Sequence, residues 1–232
     1  MEGTALITGG TGGLGTAVVD AFLADGWRVV APARGATGSG RPALERRQDL
    51  EAVRADLLDA DEVGAAVQLA AGNEGAPLRA VVNLVGAFFD GPRVHELSLE
   101  DFERQLALNL RPTFLVTRAA LPHLLAAGGG AIVCVGSRAA LRPYRGAAAY
   151  ATAKAAVIAF ARAVAADYRD DNIRCNAVLP SVIDTPTNRR AMPDADVEKW
   201  VKPEEIARVI RFLCSEESGA TSGAEIPVYG RA

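Results

Sequence analysis

Tyr150 and Lys154 stand four residues apart in Tyr150-Ala151-Thr152-Ala153-Lys154, and Ser137 closes an apolar run thirteen residues upstream. On a helix, residues i and i+4 share a face, so the phenol and the ammonium would stand side by side. A free tyrosine ionises near ~10, and an adjacent positive charge favours phenolate by roughly 1–3 units. Such a pair predicts a proton donor and acceptor usable near neutral pH, a task worth about 10²–10⁴ in rate. The spacing by itself is common, and a packed ring beside a solvated helix charge has the same pattern.

A second constellation lies at the start of the chain. Thr4 to Thr8 reads as a short buried strand, and Gly9-Gly10-Thr11-Gly12-Gly13-Leu14-Gly15 follows it. A helical pattern begins directly afterwards, with Ala17, Val18, Ala21 and Phe22 apolar. Glycines allow close backbone approach, and the helix N-terminus offers free N–H groups to an anion. Both Gly10-x-Gly12-x-x-Gly15 and Gly9-x-x-x-Gly13-x-Gly15 fit dinucleotide-binding templates. A Walker A loop is excluded, because no Lys-Ser/Thr pair follows Gly15.

The end of the second strand selects the dinucleotide. Arg28-Val29-Val30-Ala31-Pro32-Ala33-Arg34 puts Ala33 where an acid would bind ribose hydroxyls, and Arg34 follows it. An arginine there accommodates a 2′-phosphate. NADP(H) is therefore expected over NAD(H), with Arg34, and Arg41 as a second candidate, drawn toward the phosphate. Arg34 as a plain loop charge is the competing reading.

With these residues in hand, the chain resembles the short-chain dehydrogenase/reductase family over nearly its whole length. Thr8-Gly9-x-x-x-Gly13-x-Gly15 is similar to the family's cofactor turn, which also involves Thr11 and Leu14. Asp56-Leu57 resembles the adenine-contacting position, and Asn83-Leu84-Val85-Gly86 stands where the family has Asn-Asn-Ala-Gly. The second Asn and the Ala are replaced here. Pro180-Ser181-Val182-x-x-Thr185 resembles the segment bordering the nicotinamide, with Ser181 in place of glycine. The resemblance implies a catalytic set of Asn109, Ser137, Tyr150 and Lys154. It also implies cofactor contacts from Thr8, Gly9, Thr11, Gly13, Leu14, Gly15, Arg34, Asp56, Leu57, Asn83, Gly86, Tyr150, Lys154, Pro180, Val182 and Thr185. In those roles Tyr150 exchanges the proton and Ser137 holds the substrate oxygen. Lys154 biases the phenol and grips the ribose, and Asn109 tethers a water leading to solvent.

A narrower echo runs from Asp184-Thr185-Pro186 to Trp200, which is similar to a segment of dihydropteridine reductases. That name sits poorly with the missing acid after strand two and with the presence of Ser137. Three functions stay open: an NADP(H)-dependent carbonyl reductase or alcohol dehydrogenase, a dihydropteridine-type (quinonoid) reductase, and a non-catalytic nucleotide-binding sensor. The joint presence of Ser137, Tyr150 and Lys154 argues against the sensor.

The elements that must position these residues alternate along the chain. Strands are expected at residues 4–8, 28–32, 52–55, 80–84, 131–135, 173–178 and 225–228, and helices at 14–25, 60–71, 99–126, 148–168 and 203–214. This predicts an α/β fold: one doubly wound Rossmann-type domain over residues 1–232, its parallel seven-stranded sheet flanked by helices, with a substrate loop around 181–202. Pro112 falls within the long helix and predicts a kink beside Asn109, freeing a carbonyl for water. Gly35 to Gly40 reads as a flexible linker. Of the pocket loops, the first is apolar at Phe88 and Phe89, which allows an aromatic or acyl substrate. The third carries Arg189 and Arg190, which suit either an anionic group or solvent.

Composition bounds the rest. The 232 residues are 50% hydrophobic with net charge −3, and acids and bases are interspersed. No basic stripe points to nucleic acid. The apolar runs read as too short to span a bilayer, and the N-terminus reads as strand one, so a cytoplasmic place is expected. Cys134, Cys175 and Cys214 lie in apolar patterns and read as core thiols, and His95 and His123 have no metal-spaced partners, so no metal is expected. A small-molecule carbonyl or alcohol is the expected substrate. The resemblance implies a homo-oligomer, dimer or tetramer, and the alanine density from Thr152 to Ala166 supports it.

Overall fold

A computed structural model describes residues 3–35 and 47–231. Seven strands run parallel in the order β3-β2-β1-β4-β5-β6-β7. They are β1 Thr4–Thr8, β2 Arg28–Ala33, β3 Leu50–Arg54, β4 Leu78–Asn83, β5 Gly130–Val135, β6 Ile173–Pro180 and β7 Glu225–Val228. The helices are α1 Gly13–Ala24, α2 Ala60–Ala71, α3 Leu99–Asn109, α4 Arg111–Ala126, α5 Ala148–Asp167, α6 Pro186–Ala191 and α7 Pro203–Cys214. This is the doubly wound α/β fold that the alternating pattern predicts.

Strand alternation explains the two cores. Successive side chains face opposite sides of the sheet. Leu6, Val30, Val81, Ile132 and Leu179 therefore pack with α2, α4 and α5 on one side. Ala5, Ile7, Val29, Val82, Val133 and Val178 pack with α1 and α7 on the other. Strands covered on both faces read as continuous apolar runs, as these do.

Local chemistry sets the helix starts. Asp59 caps α2 by accepting from the N–H groups of Asp61 and Glu62 at 2.9 and 3.0 Å. Ser98 caps α3 through the Asp101 N–H at 3.0 Å. Pro203 opens α7, and the Lys202 N–H donates to Glu205 Oε2 at 2.9 Å. α1 begins at a glycine, Gly12, which has no side chain to cover the first N–H groups.

Three expectations need correction. The predicted helix over 99–126 is two helices, broken at Leu110, because Pro112 has no N–H and settles at the start of α4. A short helix, α6, interrupts the segment read as loop; Thr185 caps it by accepting from the Asn188 N–H at 3.2 Å. And α5 is long and apolar enough by length and composition to cross a membrane. Ala153, Val157, Ile158, Ala161 and Val164 on α5 are nevertheless buried in the domain's own core. The linker read at Gly35 to Gly40 lies, apart from Gly35, outside the described residues, as does Arg41.

Candidate active site

The order reverses between β1 and β4, which leave toward opposite sides of the sheet, and ligands of open α/β sheets bind at such a switch point. The turn after β1 is built for close approach. Gly9 has φ +71°, and a Cβ on Gly15 would sit 2.0 Å from the Gly9 carbonyl oxygen. A Cβ on Gly13 would sit 2.8 Å from Thr185 Cγ2. The bare turn and the segment after β6 thus meet over the uncapped start of α1, whose free N–H groups suit a phosphate. The residues present fit a dinucleotide on this observation alone.

Other residues assigned to the cofactor have their own work in the fold. The Thr8 hydroxyl accepts from the Leu84 N–H at 3.1 Å and donates to the Val82 carbonyl at 3.3 Å, tying β1 to β4. Asp56 is exposed and accepts from the Leu58 N–H at 3.1 Å, while Leu57 is buried. Asn83 is buried and donates to Thr117 Oγ1 at 3.1 Å, and among the described residues its Oδ1 has no partner. Ala33 ends β2 and Arg34 is exposed beside it. Pro180 is buried at the end of β6, and the Val182 carbonyl accepts from the Val201 N–H at 3.0 Å. Ser181, the serine standing for glycine, donates to the Tyr229 carbonyl at 2.7 Å and so pins the C-terminal segment.

The four residues expected to do chemistry arrive from three elements. Ser137 follows β5 and caps a single 3₁₀ turn, accepting from the Ala139 N–H at 3.2 Å. Tyr150 and Lys154 project from the first turns of α5. Lys154 is 5% exposed and its Nζ donates to the Val135 carbonyl at 2.9 Å. Asn109, at the end of α3, is fully buried. Its Oδ1 accepts from the Ala87 N–H at 3.1 Å, and its Nδ2 donates to the carbonyls of Ala87 and Gln105 at 3.1 and 3.0 Å. Gly86 is where these lines converge. A Cβ there would lie 2.7 Å from Asn109 Oδ1 and 2.8 Å from Lys154 Nζ.

Electrostatics departs from the expectation that Lys154 pulls the phenol down. Burial pushes the Tyr150 pKa up from 10.0, and the Ser137 hydroxyl partly offsets this. Burial also lowers Lys154 from 10.5 to about 8, with Cys134 opposing. The dominant influence on both groups is therefore loss of water.

Both Asn109 Nδ2 hydrogens are taken up by Ala87 and Gln105, while its Oδ1 accepts from the Ala87 N–H and keeps a second lone pair. Its backbone carbonyl is under-used as well. Among the described residues it accepts only the Thr113 hydroxyl, at 3.3 Å, where the break before Pro112 removes the regular helical donor. Sequence reasoning missed the Val135 carbonyl and Gln105. The four-residue spacing of Gln105 and Asn109 was the available signal for the second.

The segment after β6 holds itself together. Arg189 pairs with Asp184 at 2.6 and 2.8 Å, and Asn188 Nδ2 donates to the Ile183 carbonyl at 2.8 Å. Arg189 is thus neutralised by its neighbour. Cys134, Cys175 and Cys214 are buried free thiols.

A family model described as short chain dehydrogenase matches residues 3–196. The chain is 32% identical to 2-(R)-hydroxypropyl-CoM dehydrogenase of Xanthobacter autotrophicus, over 99% of this chain and 98% of that protein. It is 34% identical to (3R)-3-hydroxyacyl-CoA dehydrogenase of Rattus norvegicus, over 97% and 94%. Among solved structures, ElxO with NADP bound superposes with a TM-score of 0.89 at 24% identity, covering 99% of this chain and 98% of that one.

Proposed function

The chain belongs to the short-chain dehydrogenase family, and on that premise we propose that it is an NADP(H)-dependent oxidoreductase acting between a carbonyl and its alcohol, with Tyr150 as general acid and base. The carrying observation is the convergence of Asn109 and Lys154 on the bare α-carbon of Gly86, at the carboxyl end of β4.

When bound, the nicotinamide supplies or accepts the hydride. Everything else falls to the protein. Tyr150 gives its phenolic proton to the carbonyl oxygen in reduction and removes the hydroxyl proton in oxidation. Ser137 donates to the same oxygen and holds it. Lys154 stabilises the phenolate left behind, and Asn109 holds a water leading to solvent through its backbone carbonyl. The Gly9–Gly15 turn and the start of α1 take the pyrophosphate. Asp56 and Leu57 border the adenine, and Asn83, Pro180, Val182 and Thr185 border the nicotinamide end.

The absence of an acid at Ala33, with Arg34 next to it, supports NADP(H) over NAD(H). The same reading has a single 232-residue domain in the cytoplasm, a substrate loop at 181–202, and a homo-oligomer. The test is NADPH oxidation across a panel of ketones. Tyr150→Phe keeps the ring and removes the proton, so kcat should fall by about two decades or more with NADPH affinity nearly unchanged. Near-native turnover in that variant would refute the mechanism.

A further inference from the structure

Two loops border Tyr150, and both present aromatic rings. Phe88, two residues after Gly86, stands edge-on to Tyr150 with ring centroids 5.4 Å apart and planes at 66°. Tyr144, in the loop after the 3₁₀ turn, stacks on Phe88 at 6.3 Å and 29°. The loops are joined by backbone. The Gly91 N–H donates to the Gly146 carbonyl at 3.2 Å, and the Tyr144 hydroxyl reaches the Phe89 carbonyl at 3.5 Å. A Cβ on Gly146 would sit 2.2 Å from the Gly91 carbonyl oxygen, so only a bare residue lets the loops close this far. The wall is built, and yet its rings are not covered: Phe88 is 68% exposed and Tyr144 42%.

We propose that Phe88 and Tyr144 form the specificity-determining wall of the site, and that the substrate is a carbonyl or carbinol whose reacting carbon bears an aromatic or conjugated ring. This rests on the oxidoreductase reading and goes beyond it to substrate class. Phe88 has no group to bond a hydroxyl, so a polyol laid against it loses its water without return. A flat ring gains both the buried area and the offset or edge geometry that aromatic pairs favour. Phe88 already touches the ring that handles the proton, so a substrate ring held there keeps its carbonyl carbon beside Tyr150. Tyr144 does not compete for the proton. Burial, with Tyr150 and Asp90 adding to it, pushes its pKa up to about 12, which leaves it a neutral ring with a hydroxyl.

Acetophenone and cyclohexyl methyl ketone separate flatness from mere apolar bulk, since they match in size. Each is titrated calorimetrically into the full chain with oxidised NADP, a combination that cannot react, and kcat/KM is measured with NADPH. The native protein should prefer acetophenone by about two- to tenfold in both readouts. Phe88→Leu, which keeps apolar bulk, should bring both ratios close to one. A structural role for Phe88 would lower both ketones together and leave the ratio intact; that result overturns the proposal. So does equal binding of the two ketones, or binding of neither, by the native protein. Preferential binding of acetophenone without turnover of any ketone upholds the wall and refutes the oxidoreductase reading instead.

Discussion

The Lys154 ammonium sits on the Val135 carbonyl, 2.9 Å away, on a helix face otherwise given to alanine, valine and isoleucine. One hydrogen bond does not replace the water it has lost, which is why its pKa falls from 10.5 to about 8. The folded state then holds fewer protons than the unfolded chain between those two values, so stability rises with pH across that window. Below about pH 8 the penalty is present in full, on the order of 3 kcal/mol. Lys154→Met should raise the urea midpoint near neutral pH, and the gain should fade as pH climbs to 10.5. A midpoint equal to or below native at neutral pH would contradict this.

Gly86→Ala pushes a methyl between Asn109 and Lys154, at 2.7 and 2.8 Å from their polar atoms. The backbone at Gly86 does not need positive φ, so the strain falls on the two buried side chains and not on the turn. A fall in kcat of about tenfold to a hundredfold is expected, with a lowered thermal midpoint because the displaced groups are buried and hydrogen-bonded. Native kcat would show that the convergence on Gly86 has no part in catalysis.

Arg34→Ala removes the exposed arginine that follows Ala33 at the end of β2. NADPH binding should weaken by roughly 1.5–3 kcal/mol, as for a charge-assisted contact, and NADH binding should barely change. The assignment fails if the native chain binds NADH more tightly.

On α5, Thr152, Ala155, Ala159, Ala163 and Ala166 remain exposed. Nearby, Phe160 packs edge-on with Phe114 of α4, which is 43% exposed. Small residues let two helices approach closely, and a two-fold pairing would cover this stripe. Sedimentation at micromolar concentration should give a multiple of the 24.2 kDa chain mass. A clean monomer would refute the oligomer.

Much of the frame was legible because its signals are local. β1, α2, α7 and β7 begin and end where the apolar pattern, the Asp59 cap and Pro203 place them. The break at Leu110 was not legible as a break, since the apolar period continues through it and only the proline marks it. α6 was invisible because six residues hold less than two helical turns of pattern. In the site, residue types and spacing pointed to Ser137, Tyr150 and Lys154. What spacing does not carry is long-range contact: Lys154 on the Val135 carbonyl, Asn109 closed on Ala87, and Phe88 brought to Tyr144.

The break at Leu110 also divides the chain's cooperativity. α3 buries only Gln105 and Asn109 fully, whereas α4 buries seven residues, Val116, Ala120, Leu121 and Leu124 among them. Without a continuous ladder through Pro112, fraying of α3 need not propagate into α4. Amide protons of α3 should therefore exchange with solvent through a cheap local opening, while those of α4 wait for a larger unfolding event. Asn109 rides on the half with fewer buried residues. Each such opening releases Ala87 and bares the strand-four turn, so the exchange rate of the Ala87 amide reports how often the floor of the site comes apart.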